Sequence, residues 1–377
     1  MKSSKLNGLQ KSAAFVVIAC LLICVIAFVA NGWQLTTENE PESGDVGEKT
    51  DETDENTDGN NKPNESPDSP SNDPVDEPPA LEVPRYFNKI TGLEVSAEQF
   101  STTPIGLVVD PAMPLYGISG ADLTIEFPLE NGKSRILTYS TNSAMLWKVG
   151  SLAPTRDFIS SATKLFGGIV ISYGRDDIIS YPAPDSSKSW LDISTGSEYY
   201  YLENSLHVYT SKDMISHALD RNHSIVESTY LNAPYSFSES TVIGANKATT
   251  IIIPYSISNE TELYYSEATG QYLYFKSGAR KVDMLNGKNI AYTNVFTLFA
   301  STTTYEKADG TELVVDTSSG GKGYYASKGY VTEFRWSVDE NGNLEFKTLS
   351  GEKLSVNPGN SYISYYKASC SSSVIIG

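Results

Sequence analysis

An α+β fold follows from three features of this sequence. Strand-like and helix-like runs alternate over its middle third, closely spaced strands with Gly- and Asn-rich breaks fill its last third, and an apolar run followed by an acidic stretch precedes both. The first predicts an N-terminal α/β-type domain, the second an all-β C-terminal domain, and the third a transmembrane helix and a disordered linker. The expected divisions are a cytoplasmic tail at 1–12, an anchor at 13–30, a linker at 31–84, an α/β domain at 85–242, a β-rich domain at 243–370 and a tail at 371–377.

Ala13 to Ala30 is apolar throughout. At 1.5 Å per residue, about eighteen residues just cross a ~30 Å hydrocarbon core. Lys2, Lys5 and Lys11 precede the run and acids follow it. The positive-inside rule therefore expects a single-pass cell-membrane protein with its N-terminus in the cytoplasm and its body outside. Two alternatives stay open: a cleaved signal peptide, and lipidation at Cys20, because Val17-Ile18-Ala19-Cys20 fits a lipobox. All three put the body on the outer side of a membrane, with the bilayer itself as the first partner through residues 13–30.

Gln34 to Pro84 holds sixteen acids and two lysines, so most of the net charge of −18 belongs to it. Like charges and prolines keep such a segment extended, and it has too few apolar residues to offset the entropy of ordering. It reads as a stalk. The ordered body carries no basic footprint for nucleic acid.

Order returns at Tyr86. Ile105 to Val109 is a continuous apolar run, as in a strand buried on both faces. From Ala121 to Phe127 the chain alternates, with Asp122, Thr124 and Glu126 on one face and Leu123, Ile125 and Phe127 on the other. Asn131-Gly132 predicts a two-residue hairpin, which would pair Glu126 with Leu137 and Pro128 with Arg135, leaving Glu126 and Arg135 as diagonal neighbours on one face. Asp157 to Phe166 reads as a short helix with Phe158, Ala162, Leu165 and Phe166 inward, and Gly168 to Tyr173 as a strand. Thr210-Ser211-Lys212-Asp213 carries a capping pattern that opens a helix to about Asn222. From Ile243 onward the runs at Ile251–Ile253, Glu262–Ser266, Gln271–Lys276, Asn294–Thr302, Tyr325–Trp336, Leu344–Lys347 and Ser361–Tyr366 read as strands separated by turn residues.

The search for chemistry is mostly exclusionary. His207, His217 and His223 have no metal-ligand spacing, and no Cys lies near them. Cys20 and Cys24 fall in the apolar run and Cys370 stands alone, so no disulfide framework is expected. Ser161-x-x-Lys164 and Lys276-Ser277-Gly278 mimic penicillin-binding motifs, but no Ser-x-Asn element lies between them, and the copy at Ser140-Thr141-Asn142 is in the wrong order. Ser318 to Gly323 lacks the residues of a phosphate loop. No metal and no cofactor is expected. What remains is a cluster of Asp110, Asp122, Glu126, Arg135 and Arg156, which reads equally as an ion-pair network, a carboxylate- or phosphate-binding groove, or a pair of acid–base carboxylates. The 24 tyrosines offer stacking surfaces for glycans, although Tyr also suits sheets for packing reasons.

These segments together resemble the YerB-like lipoprotein family, a bacterial family of unknown function. The resemblance rests on Gly106 to Asp110, Gly117 to Glu126, Gly132 to Ile136 and Gly150 to Arg156 in the N-terminal part. In the C-terminal part it rests on Val282-Asp283, Asn294-Val295, Gly323 to Tyr325, Lys328 to Tyr330, Glu333 to Trp336 and Leu354 to Gly359. It spans about Tyr86 to Tyr366 and adds Asp283 and Asn294 as candidate positions. Asp110 stands where the family has Asn, and Leu206-His207-Val208-Tyr209 stands for a segment whose His is displaced or lost. The resemblance implies an envelope protein and supplies no reaction.

The expected function is therefore a membrane-anchored, extracytoplasmic, non-enzymatic binding or scaffold module near the cell wall. One alternative is a hydrolase or transferase acting on wall glycan through Asp122 and Glu126. The other is a protein–protein partner in an envelope complex.

Overall fold

Nine strands, three to nine residues long, line up side by side through the heart of the folded body. This is a computed structural model, and it describes residues 84–142, 146–161, 163–176, 189–204, 206–222, 233–307 and 310–377. The expected anchor, the linker up to residue 83, Cys20 and His223 lie outside those residues. Among the described residues no helix is long and apolar enough to cross a membrane.

The strands used below are Ile105–Val109 (β1), Leu123–Pro128 (β2), Ser134–Ser140 (β3), Val149–Gly150 (β4), Ile169–Ser172 (β5), Trp190–Asp192 (β6), Tyr201–Glu203 (β7) and His207–Thr210 (β8). They continue with Thr250–Ser256 (β9), Asn259–Ser266 (β10), Gln271–Lys276 (β11), Asn294–Ala300 (β12), Gly321–Ser327 (β13), Tyr330–Val338 (β14), Leu344–Lys347 (β15) and Ser361–Lys367 (β16). The described α-helices are short: Ala97–Ser101 (α1), Asp157–Ser160 (α2), Thr163–Phe166 (α3) and Lys212–Arg221 (α4).

The body is predominantly β. Its central sheet runs β14–β13–β12–β16–β2–β3–β1–β5–β6, with β15 and Asn246–Lys247 added against β14. β16 lies parallel to both of its neighbours, β12 and β2. The sheet is therefore continuous across the expected boundary at residue 243, with one C-terminal strand seated between the two halves. The α/β character expected of the N-terminal half survives as two parallel pairs, β1 with β5 and β5 with β6. A second sheet of β9, β10 and β11 contributes Ile251, Ile253, Leu263, Tyr272 and Tyr274 to a buried cluster that also holds Val109, Ile136, Val295 and Tyr362 of the central sheet. The opposite face of the central sheet is covered by a separate cluster around Phe127, Phe158, Phe296, Trp336 and Tyr365. With both faces covered, β2 is buried along its whole length, and its polar face points into protein rather than solvent.

Local structure follows the sequence at most elements. Ser211 caps α4 through the Met214 amide, and Ile215 and Ala218 face inward. The expected helix from Asp157 to Phe166 is two short pieces, with Phe158, Leu165 and Phe166 buried. Tyr325 to Trp336 is not one strand but two: Lys328 and Gly329, at φ 54° and 77°, form a tight turn between β13 and β14.

The β2–β3 hairpin departs by one residue from the expected register. Glu130, Asn131 and Gly132 form a three-residue turn, so Glu126 pairs with Ile136 and Phe127 with Arg135. A one-residue slip moves every side chain to the other face. Glu126 and Arg135 therefore lie on opposite faces of the sheet.

Candidate functional site

The register separates the five residues that the sequence grouped. Arg135 joins Asp110 and Asp176, at 3.6 and 3.5 Å. Asp176 also accepts from Arg156, which is buried and reaches Glu130 at 2.8 Å and Glu312 at 3.5 Å. Asp110, Arg135 and Arg156 thus share one network in which the acids outnumber the arginines, so its guanidinium groups are committed internally. Burial pushes the Asp176 carboxyl up despite both arginines.

Asp122 is elsewhere. Its carboxylate accepts from the amide and hydroxyl of Thr141, each at 2.7 Å, and burial raises it above its ordinary range. Glu126 is fully buried, 2.6 Å from the Lys276 ammonium and bonded by the hydroxyls of Thr261, Tyr274 and Tyr362. Neither carboxylate is placed to act with the other on a solvent-borne substrate. Asp283 is also fully buried, accepting from the amides of Gly117, Ser119 and Leu285 and from the Ser119 hydroxyl. Asn294 donates to the Asn357 carbonyl and accepts from the Tyr325 hydroxyl in the core. These two tie loops and strands together.

A different set of side chains meets close to the surface, around the buried Tyr209 ring. β4, β8 and β7 form a small antiparallel sheet in which Tyr209 pairs with Gly150 on one side and Tyr201 on the other, and His207 pairs with Glu203. Tyr116 adds an isolated antiparallel bridge on the far side of Gly150. Because paired and alternate residues share a face, Tyr116, Lys148, Tyr201, Glu203, His207 and Tyr209 all stand on the same side of this sheet. The intervening Val149 and Val208 point the other way, into the core.

The geometry of that face is specific. The Lys148 ammonium lies 4.0 Å from the Tyr116 ring centre, 4.5 Å from that of Tyr209 and 5.8 Å from that of Tyr201, and 3.2 Å from Glu203. Tyr116 meets Tyr209 edge-to-face at 5.0 Å, and Tyr201 lies 5.5 Å from Tyr209. Gly150 makes room for the Tyr209 ring: a Cβ there, at φ 150°, would sit 2.5 Å from the Val208 carbonyl and 2.8 Å from the ring. Burial, then the Glu203 charge, pushes the Tyr201 phenol up to about 12, so it stays a neutral hydrogen-bonding group. Trp147, next to Lys148, is 64 % exposed.

Ser151 and His207 are also close, with Oγ 3.4 Å from Nδ1. The serine is buried and its hydroxyl donates to the Pro114 carbonyl as well. That arrangement holds a loop and does not present a nucleophile. The chemistry this face offers is recognition: aromatic surfaces, one cation, one anion and neutral hydroxyls.

Tyr116, Lys148, Tyr201 and Glu203 are absent from the residues singled out by sequence. A signal existed in part, because Gly150 to Arg156 carries the family resemblance, Leu206 to Tyr209 stands for a family segment from which this chain departs, and Gly150 and Tyr209 pair between them.

Comparison with known proteins agrees with that resemblance. Residues 251–363 match the family described as "Protein of unknown function (DUF3048) C-terminal domain". The fold is similar to the crystal structure of the YerB protein from Bacillus subtilis, with a TM-score of 0.64 and 22% identity over 77% of this chain and 99% of that one. A search of curated proteins finds no match. The chain thus has a YerB-like fold and a C-terminal domain of the DUF3048 type, for which no function is known.

Proposed function

We propose that this chain, with its YerB-like fold, is a membrane-anchored extracytoplasmic binding module that holds a cell-wall polymer on the tyrosine face of the β4–β8–β7 sheet and does not turn it over. One observation carries the reading. Tyr116, Lys148, Tyr201, Glu203 and His207, all partly exposed, converge on one face over the buried Tyr209 ring, whereas the charged residues of the acid–arginine network are spent on one another. Aromatic rings backed by a few charged and hydroxyl groups suit a sugar-containing polymer, whose ring faces stack and whose hydroxyls need partners. The location rests on the apolar run, the lysines before it and the acidic stalk after it.

The test is retention of purified wall fragments by the full chain in detergent, with mass spectrometry of the supernatant. Retention without new products, lost in Tyr201→Ala and unchanged in Arg135→Ala, is the expected result. Release of shortened fragments would overturn the non-enzymatic part. Unchanged retention in Tyr201→Ala would overturn the assignment of the face.

A further inference from the structure

Resting on that reading of the face, we propose that the group seated at its centre is an ammonium group of the ligand, and that Lys148 is an internal stand-in which the ligand displaces. The tyrosine rings around Lys148 form a cage. Ring faces carry negative quadrupole, and a cation within about 6 Å of a ring centre is attracted to it. Three rings meet that criterion at once, and the Glu203 carboxylate closes the remaining side. Such a box selects a positive charge over a neutral group of the same shape.

The cage does not depend on its present occupant. Tyr116 and Tyr209 hold each other edge-to-face, and Tyr209 and Tyr201 are fixed as a paired couple across two strands. Lys148 is held through those ring faces and one carboxylate. Among the described residues, Glu203 is the hydrogen-bond partner of its ammonium, and a flexible four-carbon stem connects that ammonium to the backbone. The Lys148 side chain is itself 20 % exposed, so it has water to swing into. A lysine that swings out leaves the partly exposed Tyr116 and Tyr201 rings and the Glu203 carboxylate around a space floored by the buried Tyr209 ring, which is a receptor for a primary or quaternary ammonium. The source of that group is either a free small amine or an amine borne on the wall polymer.

The experiment measures binding of choline, and of its neutral isostere 3,3-dimethyl-1-butanol, to the full chain by titration calorimetry. Wild type, Lys148→Gln, Lys148→Met and Lys148→Gln/Tyr116→Ala are compared. Removing the competing charge is expected to tighten choline binding at least about tenfold, with no binding of the neutral alcohol and loss of the gain when Tyr116 is also removed. Both Lys148 variants binding choline no more tightly than wild type, or binding the neutral alcohol as well as choline, would overturn the proposal. If wall fragments are still retained through Tyr201 in that case, the platform reading stands and the ammonium assignment alone fails. Acetylating the free amines of the fragments separates the sources: loss of retention assigns the group to the polymer, and undiminished retention together with choline binding assigns it to a small amine.

Discussion

The Glu126 carboxylate and the Lys276 ammonium are 2.6 Å apart and almost wholly shielded from water, one on β2 of the central sheet and the other on β11 of the second. Burial alone would push the Glu126 carboxyl up. The Lys276 charge, with hydrogen bonds from Ser134 and Tyr362, outweighs it, and the group ends below its ordinary 4.5. The pair clamps the two sheets through a box that also holds Thr261, Tyr274 and the Tyr255 ring.

Breaking this pair from one side leaves a charge buried without its partner. Lys276→Met is expected to cost about 3–5 kcal/mol, whereas Lys276→Met combined with Glu126→Leu is expected to recover much of that loss. Urea unfolding of the two single variants and the double variant measures it, and a double variant no better than the worse single one would contradict the clamp.

The same pair sets an acid limit. A carboxyl whose folded value lies below its unfolded value adds stability that is fully present above about 4.5 and is lost as pH falls through the folded value. Asp122 and Asp176 are shifted upward by burial, so they act in the opposite sense and stabilise less as pH rises through their own range. Thermal unfolding between pH 3 and 7 is expected to show a flatter acid limb in Glu126→Gln than in wild type, from a lower plateau.

Arg156 holds the β2–β3 turn, the loop at Asp176 and the strand at Glu312 together. Arg156→Ala leaves the fully buried Glu312 without that guanidinium and is expected to cost about 3–5 kcal/mol. Arg156→Lys is expected to retain only part of the stability, because a point charge does not serve three carboxylates as a planar fork does. Chemical denaturation of both variants checks the order.

Asp283→Ala removes the acceptor for the Gly117, Ser119 and Leu285 amides. A loss of about 2–3 kcal/mol is expected, concentrated locally. Hydrogen exchange is the measurement: the amides of Gly117 and Ser119 should lose protection by a larger factor than those of β12.

Gly150→Ala places a methyl against the Val208 carbonyl and the Tyr209 ring at a backbone angle that glycine alone tolerates well. The expected result is loss of wall-fragment retention with near-wild-type far-UV circular dichroism, since the clash falls in the small sheet.

Which parts were legible follows from how local their causes are. β1, β2 and α4 are written in apolar runs, alternation and a serine cap. The β2–β3 register was not, because Asn131-Gly132 by itself favours a two-residue turn. Glu130 is instead drawn into the turn region by Arg156 and the Leu313 amide, and the Gly132 carbonyl is held by Asn259. These are contacts from distant parts of the chain. The β13–β14 turn was missed because Lys328 occupies a left-handed position more often taken by Asn or Asp. The tyrosine face draws on residues 116, 148, 201, 203, 207 and 209, and no short window of sequence contains its pattern.

The position of β16 has a kinetic side. Tyr362 meets Glu126 across 236 residues of chain, and β16 supplies the hydrogen-bonding partner for one edge of β2 and one edge of β12 at the same time. Until that strand docks, both edges stand open, and open apolar edges recruit other chains. Folding of this body should therefore be slow for its size, and a version cut before Ser361 should aggregate through β2 and β12 rather than yield two soluble halves.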